Sequence, residues 1–403
     1  MDCKKVGNAI YKLRKKCGLT QQTLAQMLDV TDKAISRWES GLGYPEITLF
    51  PRLADIFGVS IDYLMLGEKK GITIAGNMVM DIVKYISDYP NMGMLSYITD
   101  TSYAIGGCAP NTATNLSKID QSIPIDIIGK VGDDENGRYI LSRLRQYGIN
   151  VDKVSISQNL PTSFSDVMSI PSGERTFFHL RGANAAFSPD DVDISSLNCD
   201  LFHIGYVLLL DSFDADDPKY GTVMARFLHS LQKSGIKTSI DMVSDSTADY
   251  SKKMLPVLKY CNYVIINEIE CCGIWKLNPY NDAGILDKET VYKAMRLTME
   301  CGVKDRLIVH SKLISFIIDS ELNITEVPSL KIPKEEIRGS VGAGDAFCAG
   351  CLFAIYNSYP DKQLLEFASA AAACNLFAAN SVDGMKNKTE IIKIAEIYGR
   401  LSL

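Results

Sequence analysis

From residue 72 onward, short apolar runs alternate with helical stretches, and that alternation leaves few folds open. "GITIAGNMVMDIV" reads as a strand with a glycine at its end, and "IPIDIIGKVG" as another ahead of helical "DENGRYILSRLRQYG". "CDLFHIGYVLLL" precedes helical "YGTVMARFLHSLQKSG", and "IKTSIDMVS" and "CNYVIINEIE" flank helical "SKKMLPVLKY". "RLIVHSKLISFIID" and helical "QLLEFASAAAACNLFAAN" close the pattern. Apolar strands joined through helices pair in parallel, with helices on both faces. The expected fold is therefore α/β, a doubly wound, mostly parallel sheet that binds ligands at the carboxyl ends of its strands. Segments 83–105 and 162–180 break the alternation; they are rich in Tyr, Ser, Thr and Phe and lack a helical period. They read as extra strands, a small β lid of the kind that keeps water from a reactive phosphate.

The length of 403 residues exceeds one average domain, and 46% hydrophobic with 22% charged residues excludes a disordered chain. No apolar run reaches the ~18–20 residues that span a bilayer, and "MDCKKVGNAIYKLRKKCG" has no apolar signal core. A cytoplasmic protein without membrane contact is expected. The cysteines number 11, an odd count without metal-ligand grouping; Cys348 and Cys351 form a C-x-x-C inside an expected helix, where small buried thiols are the ordinary reading. The histidines, His179, His203, His229 and His310, lie far apart in sequence. With no zinc signature, chemistry is expected from carboxylates and backbone rather than from a histidine base or a transition metal.

Residues 1–67 differ in kind: they are nearly all helical by period. Val6, Ile10 and Leu13 mark an apolar face on the first helix, and Lys12, Arg14, Lys15 and Lys16 a basic one. Thr20 and Thr31 stand at N-cap positions of two short helices, and Gly41 ends the second. Pro51 predicts a break or kink in the following helix. Two short helices around a tight turn make a helix-turn-helix unit. "GLTQQTLAQMLDVTDKAISRWESG" and "LADIFGVSIDYLM" resemble the Cro/repressor-type (XRE-like) helix-turn-helix family. The resemblance implies duplex DNA as a partner, a recognition helix over 31–38, base-reaching Thr31, Asp32, Lys33 and Arg37, and phosphate-contacting Gln21 and Ser36. Leu24, Ile35 and Trp38 are expected in the core. This segment holds 9 Lys/Arg against 7 Asp/Glu, within a chain of net charge −6, so non-specific DNA affinity should be modest and salt-sensitive. Residues 68–71 read as a short polar linker to a second domain at 72–403.

"GSVGAGDAF" places Gly342, Ala343 and Gly344 at a helix start, with Asp345 following. Bare N–H groups at a helix N-terminus attract anions, and a carboxylate beside them can take a proton from a hydroxyl. That pairing suits phosphoryl transfer to an alcohol, although spacing alone equally fits a capped helix. Neither a P-loop nor a G-x-G-x-x-G dinucleotide motif occurs.

Residues 72–395 resemble the ribokinase-like (PfkB) carbohydrate kinases. "GSVGAGDAFCAG" is similar to their C-terminal signature and "IGGCAPNTATNLSKI" to their N-terminal one, with "GNMVMD", "GKVGDDENG", "RGANAAFSPDD" and "NEIE" in the family's order. The resemblance implies Asp345 as base, with Gly342, Ala343 and Gly344 holding charge on the transferred phosphate. It implies sugar contacts from Asp81 and Asn111 beside Gly106 and Gly107, and Asn267 and Glu270 near ATP and Mg²⁺, with Glu270 acting on the metal through water. Glu174 matches a lid residue loosely. Gly339, Ser340 and Val341 replace the family's Asp-Thr-Thr/Ser, which leaves activation by a monovalent cation without its acid. Ile314 stands where a glycine is expected, so the nucleotide site would be narrowed, and Asp241 lacks the usual Asn or Arg after it. The function implied is an ATP-dependent sugar, polyol or nucleoside kinase that also binds DNA, as a homodimeric, sugar-responsive regulator. The alternative is a catalytically weak or inactive kinase-like sensor that controls a DNA-binding repressor.

Overall fold

The structure is a computed structural model describing residues 3–59, 61–66, 70–171, 174–244 and 249–402. The chain divides into two compact units, residues 1–70 and 71–403. Residues 68 and 69 of the expected linker lie outside the described residues.

The first unit contains α1 (Cys3–Lys16), α2 (Gln21–Leu28), α3 (Asp32–Glu39), α4 (Phe50–Phe57) and α5 (Ile61–Leu66). The Thr20 hydroxyl accepts from Thr23 N–H and the Thr31 hydroxyl from Ala34 N–H, so each short helix has the cap its sequence predicts. Asp29 adopts φ 59° and closes α2, leaving only a few residues before α3. Leu24, Ile35 and Trp38 pack with Val6, Ile10 and Leu13 in the core. Two expectations need correction. Pro51 kinks nothing: it sits in the first turn of α4, where its missing N–H costs no bond, after a separate 3₁₀ turn at Ile47–Leu49. Arg14 is not part of an exposed basic face. It is buried and pairs with Glu39 through two contacts, Nε to Oε1 at 2.6 Å and Nη2 to Oε2 at 2.8 Å.

The second unit is built on strands β1 (Ile72–Ala75), β2 (Val79–Ile86), β3 (Ile98–Gly106), β4 (Ile125–Ile128), β5 (Phe164–Ser169), β6 (Arg175–Leu180), β7 (Leu201–Val207), β8 (Lys237–Met242), β9 (Tyr263–Asn267), β10 (Arg306–His310), β11 (Ile314–Asp319) and β12 (Ile324–Pro328). Eight form one sheet in the order β12-β11-β10-β9-β8-β7-β1-β4. The pairs from β10 to β4 are parallel, while β11 and β12 add an antiparallel edge. Both faces are covered, which is why β1 and β9 are almost continuously apolar. The remaining four strands form a separate sheet, β3-β2-β5-β6, from the two segments that lacked helical period. There β3 and β6 are exposed over most of their length and carry Tyr103, Phe177 and Phe178 outward.

The run "GITIAGNMVMDIV" is two strands rather than one. Gly76, Asn77 and Met78 carry the chain from the large sheet to the small one, so the small sheet begins at Val79 and not at 83. "RLIVHSKLISFIID" is likewise a hairpin of β10 and β11. A helix at Lys388–Tyr398 follows the one expected to close the chain; its capping box, Asn387 with Glu390, was the overlooked signal. Among the described residues no helix is long and apolar enough to cross a membrane.

Candidate active site and recognition helix

Carboxyl ends of parallel strands converge on a cavity of about 220 Å³. β7 ends near Tyr206, β8 delivers Asp241 and Met242, β9 delivers Asn267, and β10 delivers His310. Across from them the Ala343–Tyr356 helix points its first turn into the cavity, contributing Gly342, Gly344, Asp345 and Cys348. Gly342 has φ 76°, and a Cβ there would lie 2.5 Å from Ser381 Cβ, so this start requires glycine. The Ala343 N–H is already bound to Ser340 O at 3.2 Å and is spent. Among the described residues no hydrogen bond takes the Gly344 N–H.

Asp345 is buried. Asn111 Nδ2 donates to its Oδ2 at 2.8 Å, and the Tyr206 hydroxyl donates to its Oδ1 at 3.3 Å. Burial, with the Asp241 charge second, pushes its carboxyl up to about 7 despite those donors. Asn111 lies in the Cys108–Ile119 helix, and its Oδ1 is buried without a partner. Asp81 lies on β2 of the small sheet, opposite Ala104 of β3 and near enough for Asp345 to feel its charge. Burial raises Asp81 to about 6, opposed by Arg175. Gly106 leaves the room that Asp81 occupies: a Cβ there would be 2.3 Å from Asp81 Oδ2. Gly107 has φ 89°, and its Cβ would meet Asn77 O at 2.4 Å. Asn111 thus touches Asp345 directly, and Asp81, packed against Gly106, lies within reach of its charge.

Asn267 and Glu270 line the same cavity as Asp345. They form a capping box at the Glu268–Ile274 helix: the Asn267 side chain accepts from Glu270 N–H at 2.8 Å, and Glu270 Oε2 accepts from Asn267 N–H at 2.9 Å. Ser244 Oγ donates to Glu270 Oε1 at 2.8 Å. Burial first, and the charges of Asp241 and Glu268 besides, raise Glu270 to about 7 even though Asn267 and Ser244 favour its charged form. An acid-rich corner with oxygen donors suits a hard divalent cation such as Mg²⁺, and Glu270, already doubly engaged, would reach it through water. Ile314 lies fully buried in the core at the start of β11 and does not line this cavity. Glu174 is exposed just ahead of β6.

Tyr206, Asp241 and His310 are among the cavity residues not expected as site residues. Tyr206 holds φ 59°, a conformation non-glycine residues rarely adopt. Its N–H donates to Asp241 Oδ1, which ties the ends of β7 and β8 together. His310 packs against Phe347 with centroids 4.7 Å apart and the rings tilted by 36°, and burial lowers its pKa to about 4, so the ring is neutral. These residues come from separate strands, and only the strand-end rule could have pointed to them.

In the first unit Thr31, Asp32, Lys33, Ser36 and Arg37 are exposed on α3 or its cap, while Leu24, Ile35 and Trp38 are buried. Arg37 Nε donates to Leu42 O at 3.1 Å, which braces the guanidinium beside the helix end. Gln21 is half-buried, and its Nε2 donates to Glu39 Oε2 at 2.8 Å.

The pfkB family carbohydrate kinase profile matches residues 69–388, and a helix-turn-helix profile matches residues 10–64. A ribokinase of Dictyostelium discoideum is 23% identical over 319 residues, covering 76% of this chain and 95% of its own. The HTH-type transcriptional activator BcrR of Enterococcus faecalis is 40% identical over 80 residues, 20% of this chain and 39% of that protein. The Arabidopsis thaliana ribokinase complexed with ribose and ATP superposes with a TM-score of 0.66 at 19% identity, covering 81% of this chain and 99% of that one, a likeness of fold. With a matching profile over most of its length, the chain belongs to the pfkB family of carbohydrate kinases and carries a helix-turn-helix domain ahead of the kinase fold.

Proposed function

We propose that the protein transfers the γ-phosphate of ATP to a hydroxyl of a sugar or a related polyol or nucleoside, and that its first unit binds duplex DNA. The observation that carries the kinase reading is Asp345. It is a buried carboxyl near neutrality at a helix start with an unused N–H, and it faces Asp81 and an unpartnered Asn111 oxygen. Asp81 and Asn111 Oδ1 would accept hydrogens from neighbouring sugar hydroxyls and turn one of them toward Asp345. Asp345 would take that proton as the hydroxyl oxygen attacks phosphorus. The Gly344 N–H and the helix dipole would stabilise charge on the transferred group. Glu270, through water, with Asn267 beside it, would hold Mg²⁺, which neutralises phosphate charge when bound. The neutral His310 imidazole can donate to a phosphate oxygen without adding a cation to the site.

On DNA, Lys33 and Arg37 would reach base edges or phosphates from α3, with Thr31 and Asp32 alongside, and Ser36 and Gln21 would hold the backbone. Half-site spacing calls for two copies, and the open edges of the small sheet, β3 and β6, are the surface we assign to self-association. Sugar or nucleotide binding would then change DNA affinity, and DNA would change ligand affinity by the same factor.

A panel of sugars and nucleosides with Mg-ATP, read as ADP release, tests the kinase. Silence across the panel with retained sugar binding would install the sensor reading instead. DNA titrations with and without sugar and a non-hydrolysable ATP analogue test the coupling, and equal affinities throughout would end it. Arg37→Ala should cost about 1–3 kcal/mol of sequence discrimination where it reads a guanine.

A further inference from the structure

Beneath the cavity floor, three residues distant in sequence meet. His203 comes from β7, Asp241 from the end of β8, and Cys348 from the first turns of the Ala343–Tyr356 helix. All three are buried, and their ligand atoms lie within 4.8 Å of one another. His203 Nε2 is 3.5 Å from Asp241 Oδ2 and 3.5 Å from Cys348 Sγ. A carboxylate at that distance is too far for a good hydrogen bond from an imidazole. It is close to the edge of a tetrahedron around zinc: bonds of about 2.0 Å to nitrogen or oxygen and about 2.3 Å to sulfur put neighbouring ligands about 3.3–3.5 Å apart. The other ring nitrogen, His203 Nδ1, is held by Ser239 Oγ at 3.0 Å. A partner on the second nitrogen is what orients a metal-binding imidazole. Access exists as well, because Asp241 and Cys348 line the cavity while His203 lies behind them.

We infer that His203 Nε2, an Asp241 oxygen and the Cys348 sulfur form a binding site for a borderline-soft divalent cation such as Zn²⁺, with its fourth position open to the cavity. The thiol, imidazole and carboxylate together select such an ion over Mg²⁺, which takes oxygen ligands. Binding exchanges the Cys348 thiol proton for the metal and releases that proton to solvent. Cys348 lies three residues beyond Asp345, one turn along the same helix face.

The test uses the full-length protein, dialysed against a chelator and titrated with Co²⁺. One equivalent should give a sulfur-to-cobalt charge-transfer band that Zn²⁺ displaces and excess Mg²⁺ does not. Cys348→Ser should abolish the band, and Cys17→Ser, at an exposed thiol, should leave it. Should Cys348→Ser not fold, Asp241→Asn should weaken binding at least tenfold while the sulfur band remains at saturation. Ser239→Ala should weaken Zn²⁺ about 10–100-fold through the freed imidazole. No saturable band, or a band that survives Cys348→Ser, overturns the site, whatever the kinase assay shows.

Discussion

Two helices begin at the same cavity and end their first turns in opposite ways. At Glu268–Ile274 the start is sealed: Asn267 and Glu270 satisfy each other's backbone N–H groups. At Ala343–Tyr356 no side chain caps the start; Gly342 turns through a left-handed conformation, and the Gly344 N–H is left unused. A sealed start is stable by itself and offers nothing to an anion. A bare one leaves donors and a dipole end for a ligand to satisfy. The carboxyls follow the same division. Glu270 supports its own helix, whereas Asp345 contributes nothing to its helix cap and is held by Asn111 and Tyr206 from outside.

The sharpest way to break this comparison is Asp345→Asn. Turnover should fall ~10²–10⁴-fold with sugar affinity nearly kept, as for loss of a general base. Glu270→Gln should act differently, through a raised magnesium requirement. Near-normal turnover in Asp345→Asn would move the base elsewhere.

Next in size, Gly342→Ala should cost about 1–3 kcal/mol in urea unfolding, because it forces a side chain into positive φ against Ser381. Gly344→Ala should leave the midpoint nearly unchanged, since its Cβ would meet only His310 Cε1 at 3.9 Å. Equal midpoints for the two variants would show that the bare start is not held by Gly342.

The pH dependence follows from the raised carboxyls. Asp345 acts as a base only when charged, so kcat/KM should rise about tenfold per pH unit up to about 7 and then level off. Stability runs the other way. Asp345 and Glu270 hold protons more tightly folded than unfolded, so their contribution is full below about 4 and is lost as pH rises to about 7. The unliganded chain should therefore unfold at lower urea at pH 7.5 than at pH 5, and Asp345→Asn should flatten part of that slope. A rate that is level from pH 5 upward would contradict the raised value.

The smallest effect belongs to the sealed start: Asn267→Ala should cost about 1 kcal/mol, the worth of an N-cap. A change within error by urea unfolding would mean that this cap is replaceable by water.

Much of the bare start could be read directly, because Gly342 through Asp345 are contiguous and their chemistry is local. Asp81 and Asn111 were legible only through family motifs, since the small sheet and a separate helix bring them to Asp345. Tyr206, Asp241 and His310 carried no local signal; each ends a different strand, and pairing in the sheet alone gathers them. The metal-like grouping of His203, Asp241 and Cys348 was invisible for the same reason, and sequence spacing argued against it. Arg14 shows the reverse failure. A run of basic residues read as a surface, yet position 14 follows Ile10 by four and so faces the core.

The buried pair of Arg14 and Glu39 also sets the order in which this sequence can drift. Replacing either residue alone strands a charge in the interior, at a cost of about 3–5 kcal/mol. Replacing both with apolar groups of similar volume would be close to neutral. Any lineage that abandons the pair must therefore cross a poorly folded intermediate or change both positions together. Gln21, whose amide rests on the same carboxylate, would lose its anchor in that exchange. The two sites should thus vary as a unit among descendants of this chain, with position 21 following them.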